Sequence, residues 1–174
     1  QNDATSNASD RTELPHEQLV SAASHRFQLG FARQVIQTVL SQRRFAEDVA
    51  FEAAPNGLLM LAPNEEALAE PLRLLRDVYG DELRESAPRV RYLVLGSELF
   101  EPMMVLRVRI APRDLTAVLA DLAAREARIL EEDRSRGVCT VRAEVPLRNL
   151  LGYGRTLARL TSATGQDWTW LDRY

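Results

Sequence analysis

Apolar and polar residues alternate with period two along Met103-Met104-Val105-Leu106-Arg107-Val108-Arg109-Ile110 and again along Val138-Cys139-Thr140-Val141-Arg142-Ala143-Glu144-Val145. Such alternation predicts strands with one buried face. Leu115, Val118, Leu119, Leu122 and Ala123 recur at helical spacing behind Asp114, a suitable cap, so a helix follows the first strand. Arg128-Ile129-Leu130-Glu131 reads as a strand joined to Val138 across the loop Asp133-Arg134-Ser135-Arg136-Gly137. A second helix runs from Leu147 to about Thr161, Gly165 resets the chain, and Asp167-Trp168-Thr169-Trp170-Leu171 is a final strand. The order βαββαβ predicts a four-stranded antiparallel sheet with two helices on one face. Leu106, Val108, Ile110, Cys139, Val141, Ala143 and Val145 then point toward the helices. Arg107, Arg109, Thr140, Arg142 and Glu144 lie on the open face, joined by Trp168 and Trp170 if Thr169 and Leu171 point inward.

The first half is less regular. Residues 1–12 are small, polar and aperiodic, which predicts a disordered tail. From Pro15 onward Leu19, Ala22, Ala23, Phe27, Phe31, Val35, Val39 and Leu40 recur at spacings of three and four, which predicts a long helix, kinked or divided at Gly30. Asp48 to Ala53 and Leu58 to Leu61 flank Pro55-Asn56-Gly57 and read as a hairpin. Asn64 caps a helix through Leu68, Leu72, Leu75 and Val78 that Gly80 closes, and Val90 to Leu95 is a further strand. The expected class is α+β. A ferredoxin-like domain over residues 99–174 follows a smaller, divergent, partly ferredoxin-like unit over residues 13–98 that has a long N-terminal helix and needs a first strand from elsewhere.

Composition narrows the chemistry. All 22 cationic residues are Arg, so no Lys is present for a phosphate-binding P-loop, a Schiff base or a Lys general base. Cys139 is the single cysteine, and with only His16 and His25 beside it the chain lacks ligands for a structural zinc site. Glu65, Glu66 and Glu70 read as a solvated helix face. No apolar run is long enough to cross a membrane. Charge divides unevenly: residues 102–174 hold 12 Arg against 9 acidic residues, a net of +3, whereas residues 1–101 carry −6. The missing initiator Met fits a chain processed or cut from a longer product.

Ordered motifs carry a resemblance. Leu99-Phe100-Glu101-Pro102-Met103-Met104, Leu115 to Leu122, Val145-Pro146-Leu147 with Gly152-Tyr153, and Leu157-Ala158-Arg159-Leu160-Thr161-Ser162-Ala163-Thr164-Gly165 resemble the C-terminal, fifth domain of the elongation factor G family of translational GTPases. Two positions depart from the family pattern. Arg125-Glu126-Ala127 stands in place of an R-R-x-G turn, and Ala163 replaces the first Gly of a T-x-G-x-G element. Upstream, Leu61 to Tyr92, ending Ala87-Pro88-Arg89-Val90-Arg91-Tyr92, is similar to the family's third domain. A third domain followed directly by a fifth, with no fourth, is the order of the BipA and LepA branches.

The resemblance implies a non-catalytic, cytoplasmic translation-factor-like module that meets the ribosome through large-subunit RNA or a ribosomal protein, with no cofactor, no metal, no small-molecule ligand and no membrane partner. Arg134 and Arg136 in the hairpin loop, with Arg148, Arg155 and Arg159 along the second helix, are the candidate RNA-binding residues, because a guanidinium pairs phosphate in a fork. Arg107, Arg109, Arg142, Trp168 and Trp170 on the open face form either a stacking platform for unpaired bases or a surface that packs on a neighbouring domain. The competing reading is a protein-interaction module, or one that pairs with a second copy of itself. No nucleophile, general acid or metal constellation supports an enzyme.

Overall fold

The computed structural model describes residues 13–41 and 49–174, and the chain divides into two compact units, Gln1–Arg91 and Tyr92–Tyr174. The tail expected over residues 1–12 lies outside the described residues.

The first unit contains strand β1 (His16–Ala22), helix α1 (Gln28–Val35), which continues as a wider π turn over Ile36–Leu40, strands β2 (Ala50–Ala54) and β3 (Gly57–Ala62), helix α2 (Glu65–Tyr79) and strand β4 (Leu83–Glu85). The sheet order is β2-β3-β1-β4, with β5 (Arg89–Val90) also paired to β1. Every pairing is antiparallel. This is a complete βαββαβ unit with its own first strand.

The long helix expected from Pro15 is therefore corrected: its first part is the central strand β1. The inward positions of β1 are His16, Gln18, Val20 and Ala22, so two polar residues interrupt the period-two signal. Both have distant partners. Gln18 donates through Nε2 to the Ser86 carbonyl at 2.7 Å, and the His16 ring hydrogen-bonds the Pro63 backbone. Val20 and Ala22 pack with Phe31, Val35, Leu58, Met60, Leu68 and Leu75 in the unit's core. Val90 to Leu95 is corrected as well: Arg89–Val90 pairs with β1, and Leu93–Leu95 belongs to the second unit. Asn64 caps α2, accepting from the Ala67 amide at 2.9 Å.

His16 is 3% exposed and burial lowers its pKa to about 4, while its Nδ1 has no partner. A histidine with a depressed folded-state pKa binds its proton more readily when unfolded. Stability of the first unit is accordingly level above pH 6.5 and falls as pH drops from 6.5 toward 4, by about 3 kcal/mol in all. Urea midpoints followed by amide hydrogen exchange in β1 and β3 should show this slope in the wild type and lose most of it in His16→Gln.

The second unit opens with a two-stranded hairpin, β6 (Leu93–Leu95) and β7 (Glu98–Phe100). Strand β8 (Met103–Ile110), helix α3 (Leu115–Ala124), strands β9 (Arg128–Ser135) and β10 (Val138–Pro146), helices α4 (Leu147–Leu150) and α5 (Tyr153–Leu160), and strand β11 (Gln166–Arg173) follow. Sheet order is β11-β8-β10-β9, the same topology as in the first unit. Leu106, Val108, Ile110, Cys139, Val141, Ala143 and Val145 are all buried. Asp114 precedes α3 but makes no capping hydrogen bond; a short 3-10 turn over Pro112–Asp114 starts the helix instead. The single helix expected from Leu147 to Thr161 is two, divided at Leu151-Gly152, where Gly152 takes φ +73°.

Candidate functional site

The hairpin between β9 and β10 is tighter than its sequence implied. Ser135 pairs with Val138, and only Arg136 and Gly137 lie between them, at φ +54° and +74°. Two consecutive left-handed residues make the turn that matches strand twist, and Arg136 accepts a conformation better suited to Asn or Gly. Arg134 is consequently on a strand and not in a loop. Its Nε donates to Glu132 Oε1 at 2.6 Å, which neutralises it locally.

The remaining candidate arginines divide in the same way. Arg148, on α4, is paired with Glu101 and lies 3.6 Å from Glu126. These carboxylates raise its pKa, its hydrogen bond to Glu101 contributing most. Arg155 and Arg159 lie one turn apart on α5, exposed, and like Arg136 they have no ion pair among the described residues. Arg136, Arg155 and Arg159 are thus available to an anion, whereas Arg134 and Arg148 already hold carboxylates.

Sequence reasoning missed Arg125, which closes α3 and is 19% exposed in its side chain. It donates from Nε to Asp121 at 2.7 Å, from one terminal nitrogen to the Asn149 carbonyl at 2.7 Å and from the other to Thr156 Oγ1 at 3.1 Å. The guanidinium also lies 5.1 Å from the centre of the Tyr153 ring. One side chain thereby joins α3 to α4 and α5, and fixes the helix that carries Arg155 and Arg159. The departure from R-R-x-G was the visible signal, but nothing local named the three acceptors. Tyr153 is buried, its hydroxyl has no partner, and desolvation pushes its pKa up.

Ser162 and Ala163 follow α5 at φ +50° and +63°. Thr161 holds this corner, donating to the Leu157 carbonyl at 2.8 Å and accepting from the Gly165 amide at 2.9 Å. A left-handed Ala after a helix is strained where Gly is not. Ala163→Gly should raise the stability of this unit by about 0.5–1 kcal/mol in urea unfolding.

Cross-strand registers define the open face of the sheet. Trp168, Arg107, Arg142 and Glu131 form one row from β11 to β9, and Gln166, Arg109, Thr140 and Asp133 form the next. Arg107 stacks over Trp168 at 5.7 Å and Arg142 over Trp170 at 6.0 Å. Trp168 and Trp170 stay 46% and 41% exposed. At the far end of the face Glu144 is buried between Arg173 and Arg128, at 2.7 and 2.6 Å. Arg173 first and Arg128 second hold its carboxyl at a pKa of about 2. Among the described residues no group of three or more His, Cys, Asp or Glu could hold a metal, and no helix is long and apolar enough to cross a membrane.

The family model "Elongation factor G C-terminus" matches residues 98–174, the span of the helix corner and the open face just described. Over that span, less than half of its length, the chain is similar to the C-terminal domain of elongation factor G. The chain is 36% identical over 67 residues to the mitochondrial ribosome-releasing factor 2 of Danio rerio, a match covering 38% of this chain and 9% of that protein. It is 34% identical over 80 residues to elongation factor G of Jannaschia sp. (strain CCS1), covering 45% of this chain and 11% of the relative. Against elongation factor G of Chlamydia caviae it is 39% identical over 64 residues, or 37% of this chain and 9% of the relative. The chain thus spans about a tenth of the curated relatives it matches. A crystal structure from Thermus thermophilus matches 92% of this chain and 40% of its own, with TM-score 0.60 and 17% identity, a likeness of fold.

Proposed function

We propose that this chain is a translation-factor-like module that associates with the ribosome in the cytoplasm, through large-subunit RNA or a ribosomal protein, and performs no chemistry of its own. Its first unit takes the part of the family's third domain and its second unit that of the fifth. The observation that carries the reading is the match over residues 98–174 together with Arg136, Arg155 and Arg159, exposed and without ion pairs among the described residues of that domain. Relatives named for elongation and for ribosome release support the ribosome as its partner in this reading. A P-loop GTPase site requires its lysine, and these 174 residues contain none.

Co-sedimentation with ribosomes between about 50 and 200 mM salt tests the proposal, since phosphate contacts make binding fall steeply over that range. Replacing Arg136, Arg155 and Arg159 together by Gln should lower the slope of log affinity against log salt by about 2–3. Arg134→Gln should change it little, because Glu132 already holds that guanidinium. Absence of ribosome binding at about 50 mM salt would sink the reading.

One observation supports self-association as the second reading. The β6–β7 hairpin exposes Val94, Leu95 and Leu99 at 64, 57 and 65%, and Val94 and Leu99 face each other across it. Sedimentation equilibrium of the wild type against Val94→Ser/Leu99→Ser decides whether this apolar patch pairs two copies.

A further inference from the structure

We infer that the open sheet face of the second unit is a binding platform for a short stretch of single-stranded RNA. It stacks unpaired bases on Trp168 and Trp170 and holds the phosphates on Arg107, Arg109 and Arg142. This surface lies on the side of the sheet opposite the helix that carries Arg155 and Arg159, so it does not rest on the ribosome reading.

The arrangement across the strands favours this occupant. Arg107 and Arg142 are directly opposite one another on β8 and β10, and neither has an ion pair among the described residues. Like charges in that position are destabilising, and an anion set between them removes the repulsion. Each guanidinium is held against an indole ring, from which it can turn to phosphate or itself serve as a stacking plane. The two tryptophans are two residues apart on β11, and Arg107 and Arg109 two apart on β8, so each pair is spaced by roughly 6.6 Å along its strand. That repeat suits successive nucleotides of an extended strand, whose phosphates lie about as far apart.

The acidic edge adds direction. Arg107, Arg142, Trp170, Thr140, Glu131 and Asp133 line a recess of about 410 Å³, large enough for one nucleotide. Glu131 and Asp133 on β9 repel phosphate, which keeps the backbone over β8 and leaves the carboxylates to accept hydrogen bonds from base amino groups or ribose hydroxyls. A simple anion makes no use of the indoles and is repelled by the carboxylates. A duplex offers no base faces to stack. An unpaired strand uses all three parts of the face.

Trp168 and Trp170 are the chain's two tryptophans, so intrinsic fluorescence reads this face alone. The full chain is titrated with hexaadenylate and, separately, with sodium tripolyphosphate at about 50 mM salt. The expected result is saturable quenching by hexaadenylate with protection from acrylamide, weakened at least tenfold in Arg107→Ala/Arg142→Ala. Trp168→Leu and Trp170→Leu each keep one reporter and should each weaken binding roughly tenfold, in line with the loss of one stacked base. Circular dichroism melts of the variants confirm that the unit remains folded, and the Arg136, Arg155 and Arg159 triple variant retains the quenching. Three results would overturn the inference: no quenching up to millimolar oligonucleotide, equal quenching by tripolyphosphate, or shielding of the tryptophans that rises with chain concentration without RNA. The last would mark a protein interface. Hexaadenylate binding without ribosome co-sedimentation leaves this inference standing and removes the ribosome reading; the converse result does the opposite.

Discussion

Arg125→Ala should lower the stability of the second unit by about 3 kcal/mol. The guanidinium is mostly buried and serves Asp121, the Asn149 carbonyl and Thr156 Oγ1 at once, while its flat face covers Tyr153. Hydrogen bonds with a charged partner are worth about 1.5–3 kcal/mol each when buried. The sum is discounted here because Asp121 keeps some contact with water. Truncation also leaves the Asn149 carbonyl without this donor. Arg125→Lys should recover less than half of the loss, since one ammonium cannot span three acceptors and lacks the planar face that meets the ring. Urea unfolding followed by the fluorescence of Trp168 and Trp170 reports this unit directly. A loss below about 0.5 kcal/mol for the Ala variant would mean that the corner is held by packing alone.

Gly57→Ala should cost the first unit about 3 kcal/mol or more. Gly57 begins β3 at φ +144°, a conformation that residues with a Cβ scarcely adopt. An added Cβ would lie 2.2 Å from the Val20 carbonyl oxygen. That carbonyl belongs to the central strand, where Val20 is fully buried and paired on both sides, with Leu58 and with Glu85, so it cannot move aside. Strain and clash therefore add, and relief requires opening the β1–β3 ladder. Amide hydrogen exchange should show loss of protection in β1 and β3. Asn56→Ala, one residue earlier in the turn and without a positive φ, should cost less than about 1 kcal/mol and serves as the control. Comparable losses in the two variants would show that the turn, and not the approach to Val20, sets the requirement for Gly.

The two units were unequally legible although they share one topology. In β8 and β10 the inward positions are aliphatic or Cys, and Arg107, Arg109, Thr140, Arg142 and Glu144 alternate with them, so period two is plain and the order of elements follows. In β1 the inward positions begin with His16 and Gln18, while outward Leu19 and the apolar residues of the next helix mimic a spacing of three and four. The polar pair is tolerated because Pro63 and Ser86 supply partners, the second of them 68 residues away in sequence. No local pattern contains that information.

The same division holds for the candidate sites. The open face could be read from alternation, since strand order alone places Trp168 beside Arg107 and Arg107 beside Arg142. Which of the helix and hairpin arginines remain unpaired could not. Arg148 meets Glu101 from 47 residues away, and Arg134 meets Glu132 only because the turn is short enough to extend both strands.

The sequence by itself determined the periodicity of the second unit, its resemblance to the elongation factor G C-terminal domain, and the lack, within these 174 residues, of the lysine that a P-loop would need. Those are properties of single residues and of near neighbours, for which spacing suffices. Only the tertiary structure decided that His16–Ala22 is a central strand, that Arg125 ties three helices together, and that Arg136, Arg155 and Arg159 lack ion pairs among the described residues while Arg134 and Arg148 are held. Desolvation and ion pairing depend on what folding brings within a few ångströms, and those partners are mostly remote in the chain.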